Sequence, residues 1–463
     1  MGSKPWIKRL AQVGPSERQL RWQQMEFCAF IHFGINTFTD REWGLGNESP
    51  ALFNPTAFDA GQWVEVCKSA GMKGLILTCK HHDGFCLWPS RHTEYSVKNS
   101  PWRGGMGDVV REVAEACRRG GIKFGIYLSP WDRHEETYGT PAYNDFYVAQ
   151  LEELLTLYGD VFCVWLDGAC GEGPNGKRQV YDWDRYYRVI RKLQPDAVIA
   201  NCGPDVRWCG NEAGRSRASE WSVVPAGLRD CSDEARAGLE GEDLGSRDVI
   251  RRAKEWIWYP AEVDVSIRPG WFWHASEDDK VKSLEELLDI YYGSVGGNAN
   301  LLLNLPPDRR GLIHEHDVRR MKEFGDAIRK RFSEDLAASA KAIASESRDI
   351  FHWPDALFDG NPDTYWCPRE GTEQAIIEID LGVERTFDHV VLQEPIRLGQ
   401  RVERFMLEYG DGKNWEAMYH GTVIGHKRIC RFEPVASRYI RLTILESRWY
   451  PALSGFRVYH GGT

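Results

Sequence analysis

The chain has 463 residues, and its 58 basic against 68 acidic side chains give a formal net charge of −10. This length makes two domains the default, although a single α/β barrel takes roughly 250 residues or more. The acidic balance argues against a surface that follows nucleic-acid phosphates and favours a neutral partner. Aromatic residues make up 12% of the chain, including 19 tryptophans, and flat rings with polar edges suit sugars.

The twelve cysteines contain no C-x-x-C pair, and several lie in apolar strand-like runs, where a thiol behaves as a small hydrophobic group. This usage favours a reducing compartment. The first ten residues contain no apolar core of a signal peptide, and no run of eighteen apolar residues is long enough for a membrane span. We therefore expect a cytoplasmic protein for the chain as given, while a leader removed beforehand would leave the same sequence.

Strand-like and helix-like patterns alternate over the first two thirds of the chain. Ser16 and Gln19 have the spacing of a capping box, which predicts a short helix before the first strand. The predicted strands are 27–33, 74–79, 123–128, 161–166, 197–202 and 299–305. The predicted helices between and after them are 57–69, 109–119, 146–158, 185–193 and 316–332. Repeated strand-then-helix order predicts a parallel sheet that closes into a (β/α)8-type TIM barrel.

Two further regions differ from this alternation. Residues 204–258 are rich in Gly, Arg and Asp without clear periodicity, which indicates a functional or disordered loop. Beyond a small-residue linker at 337–347, period-2 runs indicate short strands at 375–381, 390–392, 404–409, 428–432, 439–444 and 455–459. We expect two domains, the barrel over residues 1–335 and an antiparallel β-sandwich over residues 336–463.

The apolar run that begins at Val161 ends in a carboxylate, Asp167, followed by glycine. Because the carboxyl ends of parallel strands meet at one mouth, we expect this acid to lie near other polar residues that follow predicted strands. These are His32, His81, His82, Asp83, Tyr127, Trp131 and Asn201. For Asp167 taken alone, a helix N-cap is an equally good interpretation.

One carboxylate cannot both attack and protonate, so a second acid is needed. The irregular segment offers Glu212, which lies between glycines near Trp208; taken alone, it reads as a solvated loop residue. Two carboxylates with imidazoles and aromatic walls indicate glycoside hydrolysis, in which a retaining enzyme places its two acids about 5 Å apart. Asp167 suits the nucleophile because it follows a rigid strand. Glu212, on a loop, suits the acid whose pKa is raised.

Several motifs resemble, in order and spacing, the α-L-fucosidases of glycoside hydrolase family 29. They are His32–Gly34, Glu42–Trp43, His81–Phe85, Tyr127–Trp131, Trp165–Gly168 and Asn298–Asn304. The resemblance covers roughly residues 20–315. The runs 167–176 and 207–214 look like the subgroup that cleaves α-1,3 and α-1,4 fucosyl branches of Lewis-type oligosaccharides.

This resemblance implies a retaining mechanism with Asp167 as nucleophile and Glu212 as acid/base, and no cofactor for catalysis. It implies a fucosylated glycan as the partner, with neither nucleic acid nor membrane, and it leaves the oligomeric state open. The residues that it implies for holding fucose are His32, Glu42, Trp43, His81, His82, Tyr127, Trp165 and Trp271. Trp273, two residues from Trp271, is the alternative for that last position.

The last 120 residues have their own resemblance. The runs 357–366, 379–382 and 437–442 look like a discoidin-type, galactose-binding-like sandwich. Such domains often hold a structural calcium, which would lie near Asp359, Asn361 and Asp363. A plain turn rich in Asx residues explains the same three side chains equally well.

Two other functions fit parts of the sequence. A metal-dependent barrel hydrolase would use His32, His81, His82 and Asp83 as ligands. Against it, neighbouring residues of a strand point to opposite faces, and the spaced histidine pair of barrel metallohydrolases is missing. The third possibility is a non-catalytic fucose-binding protein in which the sandwich binds the sugar. The presence of both carboxylates argues against it.

Overall fold

The computed structural model describes residues 5–461. Eight parallel strands form the first sheet: β1 (Phe27–Ile31), β2 (Gly74–Lys80), β3 (Lys123–Leu128), β4 (Cys163–Leu166), β5 (Val198–Asn201), β6 (Arg207–Trp208), β9 (Ala261–Ser266) and β10 (Ala299–Asn304). Their spatial order is β5-β4-β3-β2-β1-β10-β9-β6. A parallel bridge between Ala200 and Val206 joins the two ends of this series. The sheet is thus a nearly closed barrel, as predicted.

The remaining elements of this region surround the barrel or lie over it. The helices are α1 (Pro5–Leu10), α2 (Glu17–Met25), α3 (Ile35–Thr39), α4 (Ala60–Ala70), α5 (Val109–Gly120), α6 (Ala142–Leu157), α7 (Trp183–Leu193), α8 (Asp233–Leu239), α9 (Arg247–Ile250), α10 (Leu284–Ser294) and α11 (Glu315–Arg331). A two-stranded antiparallel ribbon pairs β7 (Val223–Pro225) with β8 (Trp256–Trp258). The predicted capping box at Ser16 and Gln19 is confirmed at the start of α2.

Alternation along the strands sorts side chains between the barrel interior and the layer beneath the helices. In β4, Val164 and Leu166 belong to the large core shared with the helices. Cys163 and Trp165 belong to a smaller aromatic cluster inside the barrel. Because side chains alternate, the residue after Leu166 continues on the inner face, and Asp167 is therefore directed to the barrel mouth.

The six predicted barrel strands are confirmed, and the sequence missed two others. Strand β6 is only two residues long, too short for any period to appear. Strand β9 reads Ala-Glu-Val-Asp-Val-Ser and places two acids inside the protein, a pattern typical of a solvated edge strand. The prediction that 204–258 is a loop or disordered was wrong in part, because this region contains β6, α8, α9 and the β7–β8 ribbon.

A buried ion pair holds this region in place. The Arg207 guanidinium donates to the Glu220 carboxylate and, at 2.9 Å, to the carbonyl of Tyr259. Both charged side chains are fully buried, so breaking the pair would leave an uncompensated charge in the interior. The segment that carries Glu212 is consequently fixed at both of its ends.

The C-terminal part is an antiparallel β-sandwich. Its strands are β11 (Lys341–Ala344), β12 (Ala375–Gln393), β13 (Val402–Gly410), β14 (Trp415–Gly421), β15 (Arg428–Ser447) and β16 (Gly455–Tyr459). They pair in the order β11-β12-β15-β13-β14, with β16 on β12. The runs predicted at 375–381 and 390–392 are two parts of β12, whose pairing register shifts between Asp380 and Arg385. Strands β11, inside the predicted linker, and β14 were missed.

All twelve cysteines are free thiols, and ten of them are buried. Within residues 5–461, no helix has both the length and the apolar character that crossing a bilayer requires.

Candidate active site

Asp167 lies at the carboxyl end of β4, and three polar groups lie close to its carboxylate. The Tyr127 hydroxyl donates to its Oδ2 at 3.0 Å, and the backbone N–H of Ala169 donates to its Oδ1 at 2.8 Å. His82 Nε2 lies 3.8 Å from Oδ2. The Ala169 N–H contact resembles that of a helix N-cap, but no helix begins here, so the N-cap interpretation of Asp167 does not hold. Both carboxylate oxygens are therefore oriented, and the side chain remains 22% exposed toward the mouth.

His32 is held in one tautomer by Asn304. Asn304 Nδ2 donates to Ser266 Oγ and to the Trp271 carbonyl, at 2.9 and 2.8 Å, so its Oδ1 faces His32 as an acceptor. His32 Nδ1 lies 2.9 Å from that oxygen and must therefore carry the proton. Burial lowers the pKa of His32 to about 4, against the opposing effect of the Asn304 contact. The ring is neutral near pH 7, and its Nε2 is a hydrogen-bond acceptor.

His82 has the same arrangement through Ser129. The Ser129 hydroxyl donates to the carbonyl of Trp131 at 2.7 Å, so it accepts from His82 Nδ1, also at 2.7 Å. Burial lowers the pKa of His82, although Asp167 opposes this effect. A neutral His82 therefore presents an unprotonated Nε2 beside the carboxylate, suited to accept a hydrogen bond from a sugar hydroxyl.

His81 and His82 lie side by side at the mouth, with ring centroids 4.1 Å apart. The expectation that they point to opposite faces was wrong, because β2 ends at Lys80 and its pairing with β3 shifts register between Thr78 and Lys80. The Lys80 side chain instead points away from the barrel mouth and is buried. Its Nζ contacts Asp132 Oδ2 at 2.9 Å and Gln150 Oε1 at 2.8 Å. This buried ion pair supports the loop that carries both histidines.

Glu42 organises the opposite wall. Its Oε2 accepts from the backbone N–H of Trp271 at 2.8 Å, and its Oε1 accepts from Phe272 N at 3.1 Å and faces His274 Nε2 at 2.7 Å. This places the Trp271 ring 5.1 Å from His32. Trp273 turns away and donates to Asp278 Oδ1 at 3.1 Å. Of the two tryptophans, Trp271 is the one at the mouth.

Trp43 and Trp165 occupy different levels of the site. Trp43 is 56% exposed, and its ring stands edge-on to Trp131 at 5.5 Å. Trp165 is buried inside the barrel beside Tyr127, with ring centroids 5.0 Å apart, and its indole N–H donates to Glu262 at 2.7 Å. Trp165 thus forms part of the floor, whereas Trp43 stands at the rim.

Glu212 lies on the loop after β6, close enough to Asp167 and Trp271 to interact with both. Glu212 is exposed overall, but partial desolvation of its carboxyl raises its pKa, and the negative charges of Asp167 and Glu42 raise that pKa further. The Trp271 side chain acts in the opposite direction, because it favours the carboxylate form of Glu212. The negative charge of Asp167 therefore acts on Glu212, the second acid of the sequence prediction.

The metallohydrolase alternative requires a cluster of metal-ligating side chains. Across residues 5–461 no group of three or more His, Cys, Asp or Glu side chains is arranged to hold a metal ion. Asp83, a ligand in the metallohydrolase alternative, uses its Oδ1 to accept from Phe85 N at 2.7 Å. In the sandwich, Asp359 Oδ1 accepts from Asn361 N at 2.8 Å, and Asn361 Oδ1 accepts from Asp363 N at 3.0 Å. These contacts are those of consecutive Asx turns, and calcium there stays a prediction.

Sequence reasoning missed several residues that orient the site. Ser129 and Asn304 lie inside the family motifs 127–131 and 298–304, but nothing in the sequence assigns them to particular histidines. Glu262 and Asp264 lie on β9, a strand that the sequence pattern did not predict. Their signal was two acids at alternate positions of an otherwise apolar run, which places both on one face of a strand.

A nearly closed parallel barrel with two coupled acids, neutral histidines and aromatic walls at its mouth defines a hydrolase of the glycosidase class. The family model described as alpha-L-fucosidase matches residues 47–331, and that of the F5/8 type C domain matches residues 341–455. The chain therefore belongs to the α-L-fucosidases of glycoside hydrolase family 29, and it carries a discoidin-like domain after the barrel.

Individual relatives agree with this assignment. Alpha-L-fucosidase 1 of Arabidopsis thaliana is 45% identical over 455 residues, which are 96% of this chain and 87% of that protein. A Ruminococcus gnavus family 29 fucosidase, solved in complex with fucose, is 35% identical with a TM-score of 0.86, covering 99% of this chain and 96% of its own. The crystal structure of SpGH29 is 38% identical with a TM-score of 0.90, covering 98% and 99% of the two chains.

Proposed function

We propose that this α-L-fucosidase is a retaining enzyme that releases α-1,3- and α-1,4-linked fucose from branched, Lewis-type oligosaccharides. The observation that carries the mechanism is the pairing of Asp167, fixed on a strand end by Tyr127 and Ala169, with the loop acid Glu212, whose pKa is raised. An oriented carboxylate and a protonated neighbouring acid are the two groups that double displacement requires.

The reaction proceeds in two steps. The Asp167 carboxylate attacks the anomeric carbon of the α-fucoside, the bond to the departing sugar breaks, and the Glu212 proton passes to that sugar's oxygen. Glu212, now a carboxylate, takes a proton from water while the water oxygen attacks the β-fucosyl ester. The bond to Asp167 breaks, and α-fucose leaves with Asp167 and Glu212 in their initial states.

The neutral histidines suit the hydroxyls of fucose. His32 and His82 each use Nδ1 on a protein acceptor and leave Nε2 free to accept, and neither carries a charge that would need a counter-ion. Trp271 offers an apolar face on the other side of His32, where the methyl group at C5 of fucose would fit. Trp43, Tyr127, Trp165, His81 and Glu42 complete the fucose-binding set that we propose.

The roles of the two acids are tested with azide. Asp167→Gly should give β-fucosyl azide, because azide takes the place of the nucleophile and attacks from the same side. Glu212→Ala should give α-fucosyl azide, because azide replaces water in the second step. The same anomer from both variants, or the wild-type rate in either, would overturn the assignment.

The linkage preference rests on the resemblance of residues 167–176 and 207–214 to the branch-cleaving subgroup. Fucose release should be compared for a Lewis trisaccharide, an aryl fucoside and a lactose fucosylated at galactose O2. We expect the branched trisaccharide to have the highest kcat/KM. A preference for the O2-linked substrate would refute this specificity without affecting the catalytic roles.

A further inference from the structure

Strand β9 carries two buried carboxyl groups, and each accepts a hydrogen bond from an indole. Glu262 accepts from Trp165 at 2.7 Å, and Asp264 accepts from Trp208 at 2.9 Å. The two acids are 4% and 5% exposed, and within the described chain neither forms an ion pair with a basic side chain. A buried acid without a cation is costly to stability, so a requirement other than core packing is expected.

Trp208 stands only four residues before Glu212, and the backbone between them is held at several points. Cys209 N donates to the Glu262 carbonyl at 2.9 Å, and the Cys209 carbonyl accepts from Arg217 at 2.8 Å. Gly210 follows with φ of +96°, a conformation that favours glycine. Asn211 Oδ1 then accepts from Ala213 N at 3.0 Å, which closes a turn around Glu212. Because the backbone between the two residues is restrained, we expect a displacement of Trp208 to move Glu212 with it.

We propose that Asp264 is the positioning residue of the acid/base: its carboxyl fixes the Trp208 indole and thereby aims the segment 208–212, so that Glu212 faces the glycosidic oxygen. The inference rests on the acid/base role proposed for Glu212 and extends it to a residue on β9, the strand that pairs with β6. Asp264 itself does not touch the substrate. Its proximity to Glu212 also appears in the pKa of Asp264, which burial raises and the negative charge of Glu212 raises further.

This role has a kinetic signature that a general structural role lacks. A sugar leaving group needs the Glu212 proton, whereas a chloronitrophenolate departs without it. If Glu212 is wrongly oriented, cleavage of the trisaccharide therefore becomes slower, whereas the rate of cleavage of the aryl fucoside changes little. Because kcat/KM covers only the steps up to departure of the leaving group, it isolates this effect from the later attack by water.

The experiment compares kcat/KM on a Lewis trisaccharide and on chloronitrophenyl α-L-fucoside. Asp264→Ala and Trp208→Phe should each lose about 10- to 100-fold on the trisaccharide and less than about 5-fold on the aryl substrate. Asp264→Asn keeps an oxygen acceptor for the indole and should restore most of the trisaccharide activity. The double variant Asp264→Ala with Trp208→Phe should be no worse than either single variant, because both remove the same contact.

Glu262→Ala is the matched control, since it removes the partner of Trp165 in the floor beneath fucose. Its loss should be equal on both substrates. Equal losses for the Asp264 and Trp208 variants, or no loss on the trisaccharide, would overturn the positioning role while Glu212→Ala still discriminates between substrates. If Glu212→Ala itself lost both activities equally, the acid/base assignment would fail, and the positioning role would fail with it.

Discussion

The phenolic oxygen of Tyr127 lies 3.0 Å from Oδ2 of Asp167, across two adjacent barrel strands. Tyr127 is fully buried, so its hydroxyl has little access to water as a competing partner. Burial and the neighbouring Asp167 charge both raise the pKa of Tyr127 and keep it a donor. A buried donor aimed at one carboxylate oxygen fixes that oxygen's direction, which a nucleophile needs before the substrate arrives.

Tyr127→Phe tests this contact with little change of shape. A hydrogen bond to a charged group contributes about 1.5–3 kcal/mol, so kcat/KM should fall roughly 10- to 100-fold. Steady-state kinetics on the aryl fucoside measures the effect, and thermal unfolding should show a native-like protein. Wild-type kinetics would mean that the phenol does not orient the nucleophile.

Ser129→Ala removes the acceptor that holds the His82 Nδ1–H. We expect kcat/KM to fall about 10-fold, because the ring loses its fixed tautomer and orientation toward the sugar. The control is Ser96→Ala, since the Ser96 hydroxyl is buried without a hydrogen-bond partner among the described residues. Kinetics of the two variants should differ clearly. Equal losses would show that a buried serine matters only for packing.

The pH profile should show the influence of Trp271 on Glu212. In the proposed mechanism Glu212 acts as an acid and must be protonated, so kcat/KM should fall as pH rises through its raised pKa. The Trp271 indole lowers that pKa by stabilising the carboxylate, so Trp271→Phe should move the falling limb to higher pH. Trp273→Phe, whose indole contacts Asp278 instead, should leave the limb in place. A shift in the opposite direction for Trp271→Phe would contradict the assignment.

Lys80→Met should destabilise the protein rather than alter its chemistry. It would leave Asp132, which is 1% exposed, as an unpaired buried charge. Losing one partner of a buried pair costs about 3–5 kcal/mol of unfolding free energy. Urea denaturation measures this loss, and Lys68→Met, on an exposed ion pair with Glu65, should cost less than about 1 kcal/mol. Similar values for both variants would disprove the supporting role of the buried pair.

The sequence was sufficient for the barrel, the sandwich and the position of Asp167, because alternation and strand ends are local signals. It could not decide between Trp271 and Trp273, since the Glu42 contacts with the backbone at 271 and 272 determine which ring faces the site. It also misjudged His81 and His82, because a register shift in β2 is not visible in residue types. Strand β9 was missed for a related reason: its two buried acids accept hydrogen bonds from the indoles of Trp165 and Trp208, partners that only the assembled fold brings to them.

The most direct test of the account is to trap the fucosyl-enzyme. A fluorinated fucosyl fluoride slows the second step, so the ester accumulates and can be located by mass spectrometry of proteolytic peptides. We predict one added fluorofucosyl group, on Asp167. A label on Glu212 or on any other residue, or turnover without a covalent adduct, would contradict the double displacement proposed for this site.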